Sequence, residues 1–316
     1  MTVTQLVYRQ SLSKTAKAII ASFVAMLILC VVPILVRWSE NEISPNAVMF
    51  NRGWIAAMIF LLWQELSLLH QRRSGEQLLI EHSLDKKQIL LLIASGVFSC
   101  MTQLLWAWSL TQTSVTNSSL IHSLTPFFTA FGGYLFLKQR FDHKFLVGLA
   151  IATLGTITLG LVDLEVASVK LQGDLLAFLS ALFFGLYLLT VEKLRTQLAA
   201  ITILTWICRI VSVLFALILF TTQEEWFPHS WNGWLAVITL ALTFNLGNGL
   251  LTYSLKHLSS SFIAMIYLLE PVVTAFLSWV ILAEAMSRSN MIAFAIVILG
   301  IYLALNSTLG QTSTDH

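Results

Sequence analysis

Residues 263–282 read IAMIYLLEPVVTAFLSWVIL, a run of twenty in which the one charged side chain, Glu270, stands directly before Pro271. At ~1.5 Å per helical residue the run crosses the ~30 Å hydrocarbon core of a bilayer, which predicts a membrane-spanning helix. A carboxylate and a helix breaker share its middle. A charge at the bilayer centre costs ~2.5–3.5 kcal/mol on insertion scales, so one that is kept there needs a partner or water. Pro271 removes the hydrogen bond to the carbonyl of Tyr267, and backbone freed at that depth is tolerated where it is buried in protein or lines water. Glu270–Pro271 therefore reads as a kinked turn facing a cavity.

The rest of the chain has the same character. Of its 316 residues 57% are hydrophobic and 11% charged, against about 25% charged in soluble domains. Apolar runs fall at 18–37, 46–64, 88–110, 116–137, 144–162, 173–192, 201–221, 233–255, 259–283 and 289–306. This predicts an all-α membrane protein of ten transmembrane helices. The connections are too short for a soluble domain, and the longest, 70–87, has room for a short surface helix. Lys14 and Lys17 precede the first run as in a signal peptide, but no A-x-A site follows, so an uncleaved first span is expected.

A net charge of +2 gives no footprint for nucleic acid. Cys30, Cys100 and Cys208 all lie in apolar runs without a C-x-x-C, and read as small buried residues. No metal or cofactor site is expected.

Lysine and arginine placement sets the direction. With the N-terminus inside, thirteen of them (Arg9, Lys14, Lys17, Arg72, Arg73, Lys86, Lys87, Lys138, Arg140, Lys144, Lys193, Arg195, Lys256) lie on the inner side and three (Arg37, Lys170, Arg288) on the outer. The positive-inside rule then places both termini in the cytoplasm of a multi-pass protein of the plasma (cell inner) membrane. Arg52 and Arg209 remain, both within spans.

The two halves match each other. An offset of 145 puts AWSL (107–110) on TYSL (252–255), Gln103 on Asn248, Pro126 on Pro271 and Gly155 on Gly300; nearer the start of each half an offset of 157 puts Arg52 on Arg209. The halves, 1–165 and 166–316, hold five spans each. Five is odd, so they insert in opposite directions, as two inverted five-helix repeats. Such repeats mark secondary transporters, because two similar halves of opposite direction can open alternately to either side.

The blocks SSLIHSLTPFFTAFGGYLFLKQRF (118–141) and SSFIAMIYLLEPVVTAFLSWVILAEAM (260–286) carry a family likeness. So do QGDLLAFLSALFFGLYLLTVEKL (172–194) and MFNRGWIAA (49–57). The chain resembles the drug/metabolite transporter superfamily in its ten-helix EamA-type branch. The resemblance covers nearly the whole chain and implies a carrier with the third, fourth, eighth and ninth spans at the centre and the first and sixth completing the cavity wall. It leaves substrate open, since the family carries amino acids, nucleotide sugars, sugar phosphates, bases and drugs. Gln139 departs from the pattern, which often has Glu there; the second half keeps Glu284.

Candidate site residues follow from depth. Counting ~1.5 Å per residue from the inner side, Glu270 lies roughly 16 Å in, and Arg209 and Asn248 roughly 12 Å. These three can share a level. Glu270 is then either paired with Arg209 as structure or open to a cationic group or a proton. In the first half Arg52, Gln103, His122 and Pro126 lie at similar distances from the outer face, with Thr125 where the second half has its acid. Arg52 either snorkels to the interface or is available to a substrate carboxylate or phosphate. Trp106, Tyr253 and Tyr267 lie on the central spans; Pro126 and Pro271 are the expected hinges. Trp226, Trp231 and Trp234 read as interface anchors, and Ala177, Ala181 and Gly185 as a close-packing stripe.

No phosphate-cradling G-x-x-x-x-G-K-[ST] and no hydrolase or zinc-protease motif occurs. The expected function is secondary transport of small metabolites by alternating access, with export of amino acids or related polar or amphipathic compounds first. A channel, or a sensor or structural protein of the membrane, is the alternative. The partners expected are the lipid bilayer and a small-molecule substrate, with protons as coupling ion and a homo-oligomeric state left open.

Overall fold

Where they are described, the apolar runs fold as helices. The structure, a computed structural model, describes residues 3–74, 84–112, 118, 121–163, 171–270, 272–273 and 288–305. In chain order the helices are α1 (Val3–Leu29), α2 (Val32–Ser39), α3 (Pro45–Ser74), α4 (Lys86–Gln112), α5 (Thr125–Leu137) and α6 (His143–Asp163). The second half supplies α7 (Leu171–Arg195), α8 (Ala200–Thr222), α9 (Trp231–Ser254), α10 (Ser260–Ile266) and α11 (Arg288–Leu305). No strand occurs among the described residues.

Five helical stretches among them are each long and apolar enough to cross a bilayer: Pro45–Trp63, Lys86–Ser109, Leu171–Arg195, Ala200–Thr222 and Trp231–Ser254. Backbone polar groups have no water to bond in hydrocarbon, which is why such runs close their bonds internally as helices.

Helix ends follow local chemistry. Ser230 caps α9 by accepting from the Gly233 amide, and Ser259 caps α10 by accepting from that of Phe262. α5 and α8 end on Lys138 and Gln223, both in the left-handed conformation at φ 54° and 55°.

Helix pairing shows the inverted repeat in three dimensions. α4 packs on α7, and α1 on α9: the third span against the sixth, the eighth against the first. Each pairing is the other with the halves exchanged. α3 packs on α8, α5 on α10, and α6 on α11, joining equivalent spans directly. The last pair approaches most closely: a Cβ added to Gly148 would lie 2.5 Å from the Gly300 carbonyl and 2.8 Å from the Ala304 amide. Small residues there let two backbones meet, the usual device for helix association in lipid.

Two spans differ from continuous helices. In the fourth, helical residues 121–122 give way to a turn at 123–124, and α5 restarts with Pro126 in its first turn. A missing amide costs nothing at that position, so Pro126 marks a restart where a kink inside a helix was expected. In the ninth, α10 tightens at its end into a 3-10 turn, Tyr267–Leu269, which leads into Glu270. The breaks fall at matching places of the two repeats, since 269 − 145 is 124. Pro271 and residues 274–287 lie outside the described residues. The first span also begins earlier than 18 and breaks at Cys30–Val31 between α1 and α2.

Candidate functional site

The aromatic and polar side chains brought together between the repeats start from Phe184, on the face of α7 beside the buried stripe Ala177, Ala181 and Gly185. The His122 ring lies 5.5 Å from it, that of Tyr267 6.4 Å and that of Tyr187 6.0 Å, the last nearly parallel. Tyr187 is buried and its hydroxyl donates to Asn248 Oδ1 at 3.5 Å; Asn248 Nδ2 donates in turn to the Phe244 carbonyl at 3.0 Å. The Tyr267 hydroxyl is buried with no hydrogen-bond partner among the described residues, and Glu270 is close enough to act on it electrostatically. Glu270 is half-buried and has no cation within ion-pair distance among the described residues.

One helical turn from Asn248, the Phe244 ring receives the guanidinium of Arg52, whose carbon sits 3.7 Å from the ring centroid. Arg52 is buried and donates to Gln103 Oε1, while Gln103 Nε2 donates to Ser99 Oγ at 2.9 Å. Cys208 completes the contact, close enough to interact electrostatically with both Arg52 and Tyr187. A continuous line of polar and aromatic groups thus runs from Arg52 through Phe244, Asn248, Tyr187 and Tyr267 to Glu270.

The structure brings His122, Tyr267 and Tyr187 against Phe184, with Asn248 and Glu270 beside those tyrosines, and Arg52 against Gln103. Depth had set Glu270 level with Asn248 and Arg209, and His122 with Arg52 and Gln103 near the outer face. Arg52 does not snorkel; it is sealed between helices. Arg209 is a correction. It is exposed, on the same side of α8 as Val213, Leu217 and Phe220. The buried face of that helix is Ile207, Cys208, Val211, Ser212, Phe215 and Leu219. Equal depth did not imply equal azimuth: 100° per residue separates Arg209 from Cys208. Its side chain is long enough to carry the charge along the helix toward polar surroundings. Arg209 is therefore no partner of Glu270. Tyr253 is a second correction, exposed in the last turn of α9 with its ring against His257. Trp106 is half-buried on α4, and no hydrogen bond or ring contact joins it to the cluster. Thr125, at the first-half place of Glu270, turns its hydroxyl back to the His122 carbonyl at 2.7 Å.

Phe184, Tyr187 and Phe244 were missed. An aromatic pair three residues apart on the sixth span was the available signal for the first two. At the end where α1 begins, Glu192 accepts from Gln139 Nε2 at 2.7 Å and from the Ser260 amide at 2.8 Å. Beside it Arg195 donates to the carbonyls of Thr252 and Leu198. These bonds tie α5, α7, α9 and α10 together there. They also explain Gln139, whose amide supplies the hydrogen that Glu192 accepts.

At the opposite end Glu42 accepts from Ser230, and Asn46 Nδ2 donates to Glu224 at 3.1 Å. The Ser230 bonds hold the Glu42 carboxyl below its ordinary range, and Glu225 raises the imidazole of His229.

Comparison with known proteins agrees with this architecture. The family model described as "EamA-like transporter family" matches residues 16–161 and again 171–306. A solved structure described only as "Crystal structure of protein" superposes with a TM-score of 0.73 at 17% identity, over 92% of this chain and 97% of its own. That likeness concerns the fold. No curated protein matches. The chain belongs to the EamA-like transporter family: it is a multi-pass membrane protein of a family of small-molecule transporters.

Proposed function

We propose that this member of the EamA-like family is a secondary exporter of amino acids or related small polar or amphipathic compounds, working by alternating access in the plasma membrane with both termini cytoplasmic. One observation carries the reading. Both repeats interrupt their α-helix at the same place, by a turn at 123–124 and a 3-10 turn at 267–269, and His122 and Tyr267 there converge on Phe184 with Glu270 and Asn248 alongside. Broken helices at the repeat interface are where secondary transporters bind substrate.

The chemistry of the line suits a molecule with both charges. Glu270, with no cation beside it among the described residues, suits an ammonium group or a proton. Aromatic rings at Phe184, Tyr187 and Tyr267 suit an apolar side chain. Rocking of the halves about the α3–α8 and α6–α11 contacts would expose this line to each side in turn, drawing on the family's transport role. Glu270 is the group we assign to proton exchange.

The test is counterflow. Proteoliposomes holding the purified chain and loaded with unlabelled leucine, lysine or glutamate should accumulate the labelled amino acid transiently and saturably. Flux that rises linearly with concentration and shows no countertransport would favour a channel. No flux of any amino acid would end the substrate assignment.

A further inference from the structure

We propose that Arg52 is the anchor of an anion site: its guanidinium, with Ser99 and Cys208, takes one small anionic group, either a free halide or the carboxylate of a carried molecule. The side chain is 3% exposed, a costly place for a charge. Among the described residues no carboxylate lies within ion-pair distance of it. Guanidinium offers five N–H donors. One side-chain acceptor, Gln103 Oε1, is engaged, and the flat face is spent on Phe244. The other donors meet no protein acceptor among the described residues.

Arg52 instead lines a cavity of about 20 Å³ together with Gly53, Ser99, Gln103, Cys208 and Phe244, enough for one water-sized body. Its polar lining is richer in donors than in open acceptors. Ser99 Oγ accepts from Gln103 and keeps its own hydrogen free; Cys208 offers a weak S–H; the Gln103 oxygen already faces Arg52. A water there would have only the second lone pairs of Ser99 Oγ and Gln103 Oε1 for its two hydrogens. An anion needs only donors, and it neutralises the buried cation. Of the two arginines at matching repeat positions, Arg52 alone points inward, so the site is a property of one half.

The carboxylate arm rests on the proposed transport of amino acids; the halide arm does not. Binding is therefore read without transport, as thermal unfolding of the detergent-purified full chain at constant ionic strength. Sodium gluconate serves as baseline, with chloride, formate, leucine or leucinamide titrated in. A saturable rise in melting temperature with chloride identifies a free halide. A rise with formate and leucine but not with chloride or leucinamide identifies a substrate carboxylate. Either result supports the site, provided Arg52→Gln weakens binding about tenfold or more, the scale of a lost hydrogen bond to a charged group. Ser99→Ala should weaken it severalfold and carries the test should Arg52→Gln not fold. No saturable shift with chloride, formate or leucine overturns the proposal, as does a Ser99→Ala protein that binds as tightly as wild type. Failure of counterflow with anion binding intact would instead fault the assigned transport.

Discussion

His122 and Tyr267 occupy the same position in the two repeats, 145 residues apart, and both lay their rings against Phe184, at 5.5 and 6.4 Å. A residue of the sixth span is thereby the meeting point of the broken fourth and ninth. Phe184→Ala should remove the shared ring, lower stability by about 2 kcal/mol for a half-buried phenylalanine, and weaken substrate binding further. Phe184→Tyr should keep both. Melting temperature together with the counterflow half-saturation concentration separates the two effects.

Gly148 gives a packing prediction. Its added methyl would meet the backbone of Gly300 and Ala304, which cannot swing aside as a flexible side chain would. Gly148→Ala should push α6 from α11 and cost about 1–3 kcal/mol, read as a lower melting temperature in detergent. A larger residue, Gly148→Leu, should not yield folded protein.

Glu192 and Gln139 predict a defect that depends on pH. Gln139→Glu would set two carboxylates against each other where an amide now donates. The variant should be less stable at neutral pH by about 1–3 kcal/mol, the cost of an unmet hydrogen bond. It should recover as the pH falls, because a proton restores the missing donor, and Glu192→Gln should rescue it at neutral pH. Melting curves from about pH 4, the ordinary carboxylate value, up to about pH 8 decide it.

The loop contact at the other end has a definite sign. Ser230 lowers the Glu42 carboxyl below its unfolded value. Its contribution is therefore present above the ordinary carboxylate value and lost as pH falls through the lower, folded one. His229 is raised by Glu225, so its contribution is full below the ordinary histidine value and fades as pH rises through the folded one. Glu42→Gln should lower the melting temperature at neutral pH, and the gap to wild type should close under acid conditions.

The sequence carried the spans, the repeat and the inversion, because apolar length and an odd number of crossings are one-dimensional facts. It also set Arg52 and Gln103 at one depth, and the two bond. It misplaced Arg209 because depth says nothing of azimuth, and Tyr253 because a central span also has an outward face: Cys208 and Arg209 are neighbours in the chain, but only Cys208 faces the core. Phe184 and Phe244 were hidden for another reason. Among 20 phenylalanines, nothing in composition or spacing distinguishes those that meet a polar group from those that meet lipid. Pro126 was visible as a breaker, yet only the fold shows that it opens a helix.

Central to this account is a site between the repeats that faces each side of the membrane in turn. Asn248 lies on it, buried between Tyr187 and the Phe244 carbonyl. The direct measurement is modification of Asn248→Cys, with Cys30, Cys100 and Cys208 replaced by serine or alanine, in sealed vesicles of both orientations. The probe is a membrane-impermeant thiol reagent. Labelling from both sides, slowed by the transported amino acid, is the predicted result. Labelling from one side only, or from neither, would contradict alternating access at this site.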